Sequence, residues 1–397
     1  MIIRENYLRK IRPFYEQDLI KVITGIRRCG KSVLLNQIIS EIKNNNIDDE
    51  HIIYLNFELQ DYEDIKNANS LNNYIKDKIK DKNKYYLFFD EIQNVEEWEK
   101  VINSFKASLN VSIFITGSNS NLLSGELATH LAGRYVSFRI QPFSFKEVCE
   151  LKNAEKENLE DIFNDYLSWG GLPQRFTVGE EEQIIAYLEN IYDSIVLKDI
   201  ILRNKIQNVN MLELLIQYLV STPSQTFSGT SIAKHFESDK RTISPEAIYN
   251  YFNYISNSFI INKVQRFDIK GKKILSKLDK YYLTDLGLAH VKNINKKIDL
   301  GASLENIVFN ELINRGYTVY TGKNGDKEID FIATKTDEKL YFQVAYILAD
   351  DRVAEREFGA YKGIDDNYPK YVLTLDKFNF SQNGIIHKNV IEWLLDK

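Results

Sequence analysis

The sequence predicts an α/β chain: a parallel sheet wrapped by helices first, a helical stretch behind it, and a second, smaller α/β part at the end. Three observations predict this. An apolar run over 19–24 passes through Gly25-Ile26-Arg27-Arg28-Cys29-Gly30-Lys31-Ser32 into a helical pattern. A second run, Tyr85 to Phe89, stops at Asp90-Glu91, and a third, Val111 to Ile115, runs into Thr116-Gly117-Ser118-Asn119. Largely apolar runs of that length fit strands buried on both faces, the habit of a parallel sheet covered by helices.

The elements follow in order. Tyr7, Leu8, Ile11 and Phe14 give residues 4–18 the spacing of an amphipathic helix ahead of the first strand. Residues 25–32 read G-x-x-x-x-G-K-S between a strand and a helix, the context that makes the pattern a phosphate loop. Its glycines let successive backbone N–H groups turn inward around an anion, and the helix adds its positive end. Lys31 is expected on the β- and γ-phosphates and Ser32 on Mg²⁺, with Gly25 to Val33 as the nucleotide-binding residues. A helix over 32–43 ends at three asparagines. A strand over 52–57 and a helix over 71–79 precede the Tyr85–Glu91 run. Asp90 at that strand's end is expected to hold Mg²⁺ and Glu91 to act as general base on water. Ser118 or Asn119, at the tip of the third strand, is placed to touch a γ-phosphate or the attacking water. The competing reading is a turn residue satisfying local backbone. A helix over 122–131 leads to Gly133-Arg134 and a strand over 135–140. Arg134 reads either as a finger onto a γ-phosphate, in its own or a neighbouring subunit of a homo-oligomer, or as half of a structural ion pair.

With 397 residues and a net charge of −5, the chain offers several cores and no overall polybasic surface, so any nucleic-acid contact must come from a local patch. Two cysteines, Cys29 and Cys149, without metal-ligand spacing fit a reducing compartment, and no apolar run nears membrane-spanning length. A cytoplasmic location without membrane association is the expectation.

The order of parts resembles the AAA-type ATPases, in particular a prokaryotic group with a C-terminal domain of unknown function. The likeness is carried by G-I-R-R-C-G-K-S, F-F-D-E-I-Q, F-I-T-G-S-N, L-A-G-R-Y, P-F-S-F-K-E and W-G-G-L-P over residues 20–175. It is carried more loosely by I-V-L-K-D-I at 195–200. The resemblance implies an ATP- and Mg²⁺-dependent enzyme with Asn119 (or Ser118) as sensor and Arg134 as candidate finger. It also implies a helical lid in which Pro173, in Gly170-Gly171-Leu172-Pro173, packs on adenine, with Arg175 near a phosphate. Gly-Gly-x-Pro is equally ordinary loop punctuation.

Residues 211–287 look like a winged helix: three short helices, the third opened by Ser244-Pro245, then two strands with Lys270, Lys272, Lys273, Lys277 and Lys280 around a tip. Those lysines suit phosphates, while the third helix supplies no Arg or Lys for base reading, so a solvated hairpin or protein-docking module competes with DNA binding. The last hundred residues resemble the PD-(D/E)xK nuclease fold, Glu305 and Asp330 matching its first two acids. The third strand reads Phe342-Gln343-Val344-Ala345, with Gln in place of the acid and Ala in place of the lysine. A neutral amide holds a hard cation poorly, so a degenerate, binding-only domain is expected. The expected divisions are 1–150 (ATPase core), 151–208 (lid), 209–292 (winged helix) and 293–397 (nuclease-like). The expected function is ATP hydrolysis that rearranges the C-terminal parts, with DNA or a protein as partner. A slow nucleotide-gated switch and an ATP-dependent nuclease are the alternatives.

Overall fold

The computed structural model describes residues 2–123, 131, 133–222, 224–238, 241–292 and 299–396. They form two compact units, one of Met1–Ile140 with Asn257–Phe259, the other of Gln141–Ser256 with Ile260–Lys397.

The first unit is built on five strands, β1 (Ile20–Thr24), β2 (Ile52–Asn56), β3 (Tyr85–Asp90), β4 (Val111–Gly117) and β5 (Tyr135–Arg139), in the order β2-β3-β4-β1-β5. Every pairing is parallel. β1 and β3 are buried at each position, as suits largely apolar strands of a parallel sheet. Leu87, Phe89, Ile113 and Ile115 pack with Leu71 and Ile75 of helix Ala68–Lys78, and with Ile102 and Phe105 of helix Trp98–Ser108. That last helix is an addition to the sequence reading, although its apolar residues at 98, 101, 102 and 105 carry the helical period. The N-terminal helix is shorter than expected. It covers Glu5–Ile11 and tightens into a 3₁₀ turn at Arg12–Phe14, where Pro13 lacks the N–H to continue it. The helix expected over 122–131 lies largely outside the described residues.

Lys21 is a lysine fully buried within β1. Its ammonium donates to the Ser112 hydroxyl (2.7 Å) and the Gln17 carbonyl (3.1 Å) and lies 4.8 Å from the centre of the Phe114 ring. Burial pulls its pKa down to about 7. The unfolded chain therefore binds this proton more tightly than the folded one. The residue costs stability at and below pH 7, and the cost fades as pH rises toward the ordinary lysine value. Lys21→Met is expected to raise the thermal midpoint at neutral pH, and to raise it less near about pH 9. Scanning calorimetry of both proteins at the two pH values checks this.

The second unit opens with helices Phe145–Leu151, Leu159–Trp169 and Glu181–Ser194, the last continuing as a π-helical stretch over Ile195–Leu202. Helices Val209–Ser221, Gly229–Ser238 and Pro245–Asn257 follow, close to their expected spans. Then comes a sheet of seven strands in the order β12-β11-β10-β9-β8-β6-β7. β6 (Ile261–Asp268) and β7 (Lys273–Leu283) form an antiparallel hairpin, and β6 also pairs in parallel with β8 (Thr318–Asn324) through Arg266↔Thr321 and Asp268↔Lys323. β9 (Lys327–Lys335), β10 (Glu338–Val344), β11 (Lys370–Thr374) and β12 (Ile386–Asn389) complete it. The hairpin read from sequence as a separate wing is thus two strands of the same sheet as the last hundred residues.

Candidate functional site

Parallel strands bring the C-terminal ends of β1, β3 and β4 to one edge of the first sheet, where ligands of open α/β sheets bind. The loop after β1 turns there. A Cβ on Gly25 would lie 2.5 Å from the Ile140 carbonyl oxygen and 2.8 Å from Cys29 Sγ, so no side chain fits. Gly30 caps the helix Lys31–Asn44 at φ 102°, a conformation that favours glycine. Lys31, first in that helix, is buried and donates to the carbonyls of Gly25 (3.3 Å) and Ile26 (3.4 Å). Its ammonium is 3.2 Å from Glu91. Burial opposes the charge on Lys31, but Glu91, together with Cys29 and Asp90, more than offsets it, holding the pKa above the ordinary lysine value. For Glu91 burial works to raise the pKa, but Lys31, Gln93 and Arg27 outweigh it and keep the carboxylate ionised.

Asp90, at the end of β3, is fully buried. It accepts hydrogen bonds from the hydroxyls of Thr116 and Tyr54 (the latter 3.0 Å), and Ser32 bonds it as well. Burial pushes its carboxyl above the usual range, and these three bonds work against that. The Thr116 hydroxyl in turn accepts the Glu91 N–H at 2.9 Å, so one side chain of β4 fixes both acids. Glu91 itself sits at φ 54°, which turns its carboxylate back toward Lys31, and Gln93 donates to its other oxygen. Lys31, Ser32, Asp90 and Glu91 are therefore gathered at one point. The donor set fits Mg²⁺: a hydroxyl and a carboxylate oxygen are hard ligands.

The remaining loop residues divide. Ile26 and Cys29 are buried, and burial pushes the Cys29 thiol upward, so it is a packing residue. Arg27 pairs with Glu58 at 2.6 Å, Arg28 takes φ 66°, and Val33 is exposed. Ser118 and Asn119 are buried at the tip of β4, on the same edge. Thr116, Tyr54 and Gln93 were missed from sequence. A hydroxyl at the end of an apolar strand and a polar residue two places past the paired acids were the available signals. Arg4 was missed too. Buried ahead of β1, it donates to the Cys29 carbonyl at 3.2 Å and fastens the loop from behind.

Two expected contacts are corrected. Arg134 precedes β5, whose start pairs with Ile20 and whose end pairs with Thr24. It thus lies at the opposite edge from the phosphate loop, about 15 Å away over five strand residues, where it donates to Asn103 at 3.1 Å. A finger onto its own site is out of reach. Arg175 is buried in the second unit, bonded to the Gly170 carbonyl (2.7 Å) and to Asp165 (3.2 Å) and stacked on Phe176. It ties a turn together and is not free to read a phosphate. Pro173 opens the 3₁₀ turn Pro173–Thr177 beside it.

The acids of the second unit also differ from expectation. Lys280, read as part of a basic wing tip, points inward and bridges Glu305 (3.2 Å) and Glu328 (2.6 Å). Tyr282 donates to the same Glu305 oxygen at 2.6 Å. Asp330 accepts the Val344 N–H (2.8 Å), while Gln343 spans from the Asp330 N–H (2.7 Å) to Glu357 (3.0 Å). Glu305 and Glu328 are committed to an internal ammonium and Gln343 to Glu357, so this donor set does not fit a hydrolytic metal ion. Among the described residues no group of three or more His, Cys, Asp or Glu is arranged to hold one. No helix among them is long and apolar enough to cross a membrane.

Residues 17–149 match the family described as AAA domain, and residues 160–297 match a domain of unknown function (DUF8612). The second match runs across the expected division at 208 and 209. An uncharacterized protein of Haemophilus influenzae is 39% identical over 100% of this chain and 99% of its own length. One of Methanocaldococcus jannaschii is 35% identical over 91% of this chain and 80% of its own. Among solved structures, Cdc6p from Pyrobaculum aerophilum is 12% identical over 77% of this chain and 92% of that one, with a TM-score of 0.29, a level at which no function transfers. With an AAA domain in its first part and a domain of unknown function behind it, the chain belongs to one family with the Haemophilus influenzae and Methanocaldococcus jannaschii proteins.

Proposed function

We propose that the first unit binds ATP with Mg²⁺ and hydrolyses it, and that turnover rearranges the second unit. The observation that carries this is the meeting of Lys31, Ser32, Asp90 and Glu91 at the C-terminal edge of a parallel sheet within a matched AAA domain. Backbone N–H groups of the loop and the start of a fourteen-residue helix would receive the phosphates. Lys31 moves its charge from Glu91 to the β- and γ-phosphates. Ser32 and Asp90 would hold Mg²⁺, which supplies positive charge to the transferred phosphoryl group. Glu91, ionised at neutral pH, takes a proton from the attacking water, and Asn119 or Ser118 orients that water from the tip of β4. Arg134 would serve only a neighbouring copy of the chain.

A slow nucleotide-gated switch is the second reading. It draws on Glu91 being engaged by both Lys31 and Gln93. The closed acid cluster around Lys280 speaks against a nuclease.

Lys31→Ala tests the proposal. The loop loses the ammonium that faces Glu91, and nucleotide affinity is expected to fall by at least about tenfold, with turnover lost beyond that. Displacement of a fluorescent ATP analogue and phosphate release measure the two. Wild-type affinity with wild-type turnover in this variant would remove the site assignment.

A further inference from the structure

The second sheet gathers lysines that the sequence scatters. The turn between β6 and β7 carries Lys270 and Lys272, and Lys273 opens β7. The Ile269 N–H donates to the Lys323 carbonyl (2.9 Å), laying this turn against the end of β8. Lys270 reaches over Gly325, its Nζ 3.6 Å from where a Cβ on that glycine would lie. Across the next turn, Lys327 donates to the Gly359 carbonyl (2.5 Å), and Asn324 donates to the carbonyls of Ala360 (2.9 Å) and Lys362 (3.0 Å). Three loops, 269–273, 323–327 and 359–362, thus share one end of the sheet and bring Lys270, Lys272, Lys273, Lys323, Lys327 and Lys362 together. Five of the six are exposed and Lys323 is half-buried.

Other lysines on the same hairpin are paired: Lys263 with Asp279 at 2.9 Å, Lys280 with Glu328 at 2.6 Å. Among the described residues none of these six has a carboxylate at ion-pair distance. Asp326 lies in the second loop, and Asp268 and Asp365 lie just outside the other two. Asp268 spends its carboxylate on the Gly271 N–H at 2.9 Å, capping its own turn. In a chain of net charge −5 this is a local reversal of sign.

We infer that this end of the sheet, formed by loops 269–273, 323–327 and 359–362, is a docking surface for the phosphate backbone of a nucleic-acid duplex. It would bind without reading sequence and without cutting. The dimensions agree. β7, β6, β8 and β9 are successive neighbours, so the lysines on them spread over about 14 Å at ~4.8 Å per strand, the length of roughly four phosphates along one strand of a duplex. The side chains agree as well: lysine is a point charge that positions a backbone, whereas base reading uses the planar forks of Arg, Asn or Gln. Cutting is withheld because Lys280 occupies the acid cluster behind the surface. The inference does not depend on the ATPase reading.

The experiment is fluorescence anisotropy of a labelled random-sequence duplex with the full-length protein, at salt from roughly 50 to 200 mM, in EDTA and in Mg²⁺. Binding is expected in both. Lys270→Glu with Lys272→Glu and Lys323→Glu should weaken it by at least about tenfold and flatten the logarithmic salt slope by about 3. A matched reversal on helices of the same unit, Lys156→Glu with Lys198→Glu and Lys234→Glu, should change affinity less than about twofold. Unchanged thermal unfolding and phosphate release show that both triple variants fold. An equal loss in the two variants would overturn the surface assignment in favour of general charge, as would no binding by the wild type. Anionic vesicles or polyglutamate held as tightly as the duplex would overturn the choice of partner. Strand cleavage in Mg²⁺ or Mn²⁺, absent in EDTA, would overturn the non-cutting half.

Discussion

Glu91→Gln is expected to lower ATP turnover by about 100-fold or more while nucleotide still binds, because general-base assistance is commonly worth 10² to 10⁴. The amide keeps the shape of the carboxylate and an oxygen for the Gln93 donor, but it cannot take a proton from water. It also removes the charge facing Lys31, so the nucleotide-free variant should unfold at lower temperature. ATP should restore more stability to the variant than to the wild type, since its phosphates supply the counter-charge that Gln lacks. Phosphate release and thermal unfolding with and without ATP read the two effects. In the wild type, Glu91 stays ionised below the ordinary carboxylate pKa, so turnover should hold as pH falls through that range before acid inactivation. Turnover near the wild-type rate in Glu91→Gln would transfer the role of base away from this residue.

Gly171→Ala is expected to destabilise the second unit by about 3 kcal/mol or more, the range reserved for steric conflicts that nothing nearby can absorb. A Cβ there would lie 2.1 Å from the Phe143 carbonyl oxygen, which is backbone. The same residue donates its N–H to Asp285 at 2.7 Å, and Asp285 also accepts the Gly287 N–H at 2.9 Å. Gly170 sits at φ 70° with its α-carbon turned onto the Asp285 carboxylate, and Gly287 lies against the Trp169 carbonyl. This Gly-Gly turn is thus a knot of backbone around one buried acid, whose pKa burial raises against the bonds it accepts. Asp285→Ala should cost about 1–3 kcal/mol for each amide left without an acceptor. Calorimetry should show the losses in a transition that ATP does not shift, while a transition that ATP raises stays in place. Wild-type unfolding of Gly171→Ala would mean that the turn is not held as the structure has it.

The phosphate loop was legible because its chemistry is local: eight consecutive residues dictate their own turn, and the strand and helix around them carry unambiguous periods. Asp90 and Glu91 were legible only in company: an apolar run ending in acids says little alone, but it gains weight downstream of a phosphate loop. What failed was direction and facing. Arg134 looked close to the site in sequence, but a strand entering at the far edge puts its first residue away from the ligand, and only the sheet order reveals that. Lys280 and Tyr282, two apart on β7, share a face, and a period of two says nothing about whether that face meets solvent or Glu305. The helix Phe145–Leu151 was available and overlooked: Ser144 and Glu147 form the reciprocal cap that S-x-x-E announces. Helix Leu286–Lys292 and strand β12 were overlooked too. Each is short, and tertiary packing decides it more than the pattern does.

Pairing between β6 and β8 carries a consequence for the ancestry of the chain. Were the stretch from Asp299 onward transplanted alone onto another protein, it would arrive with the bonding edge of β8 bare and Glu305 and Glu328 deprived of the lysine that neutralises them. Recombination within this family is therefore constrained to inherit the hairpin and the terminal segment as one cassette, and a breakpoint between them should be rare wherever such genes have been shuffled.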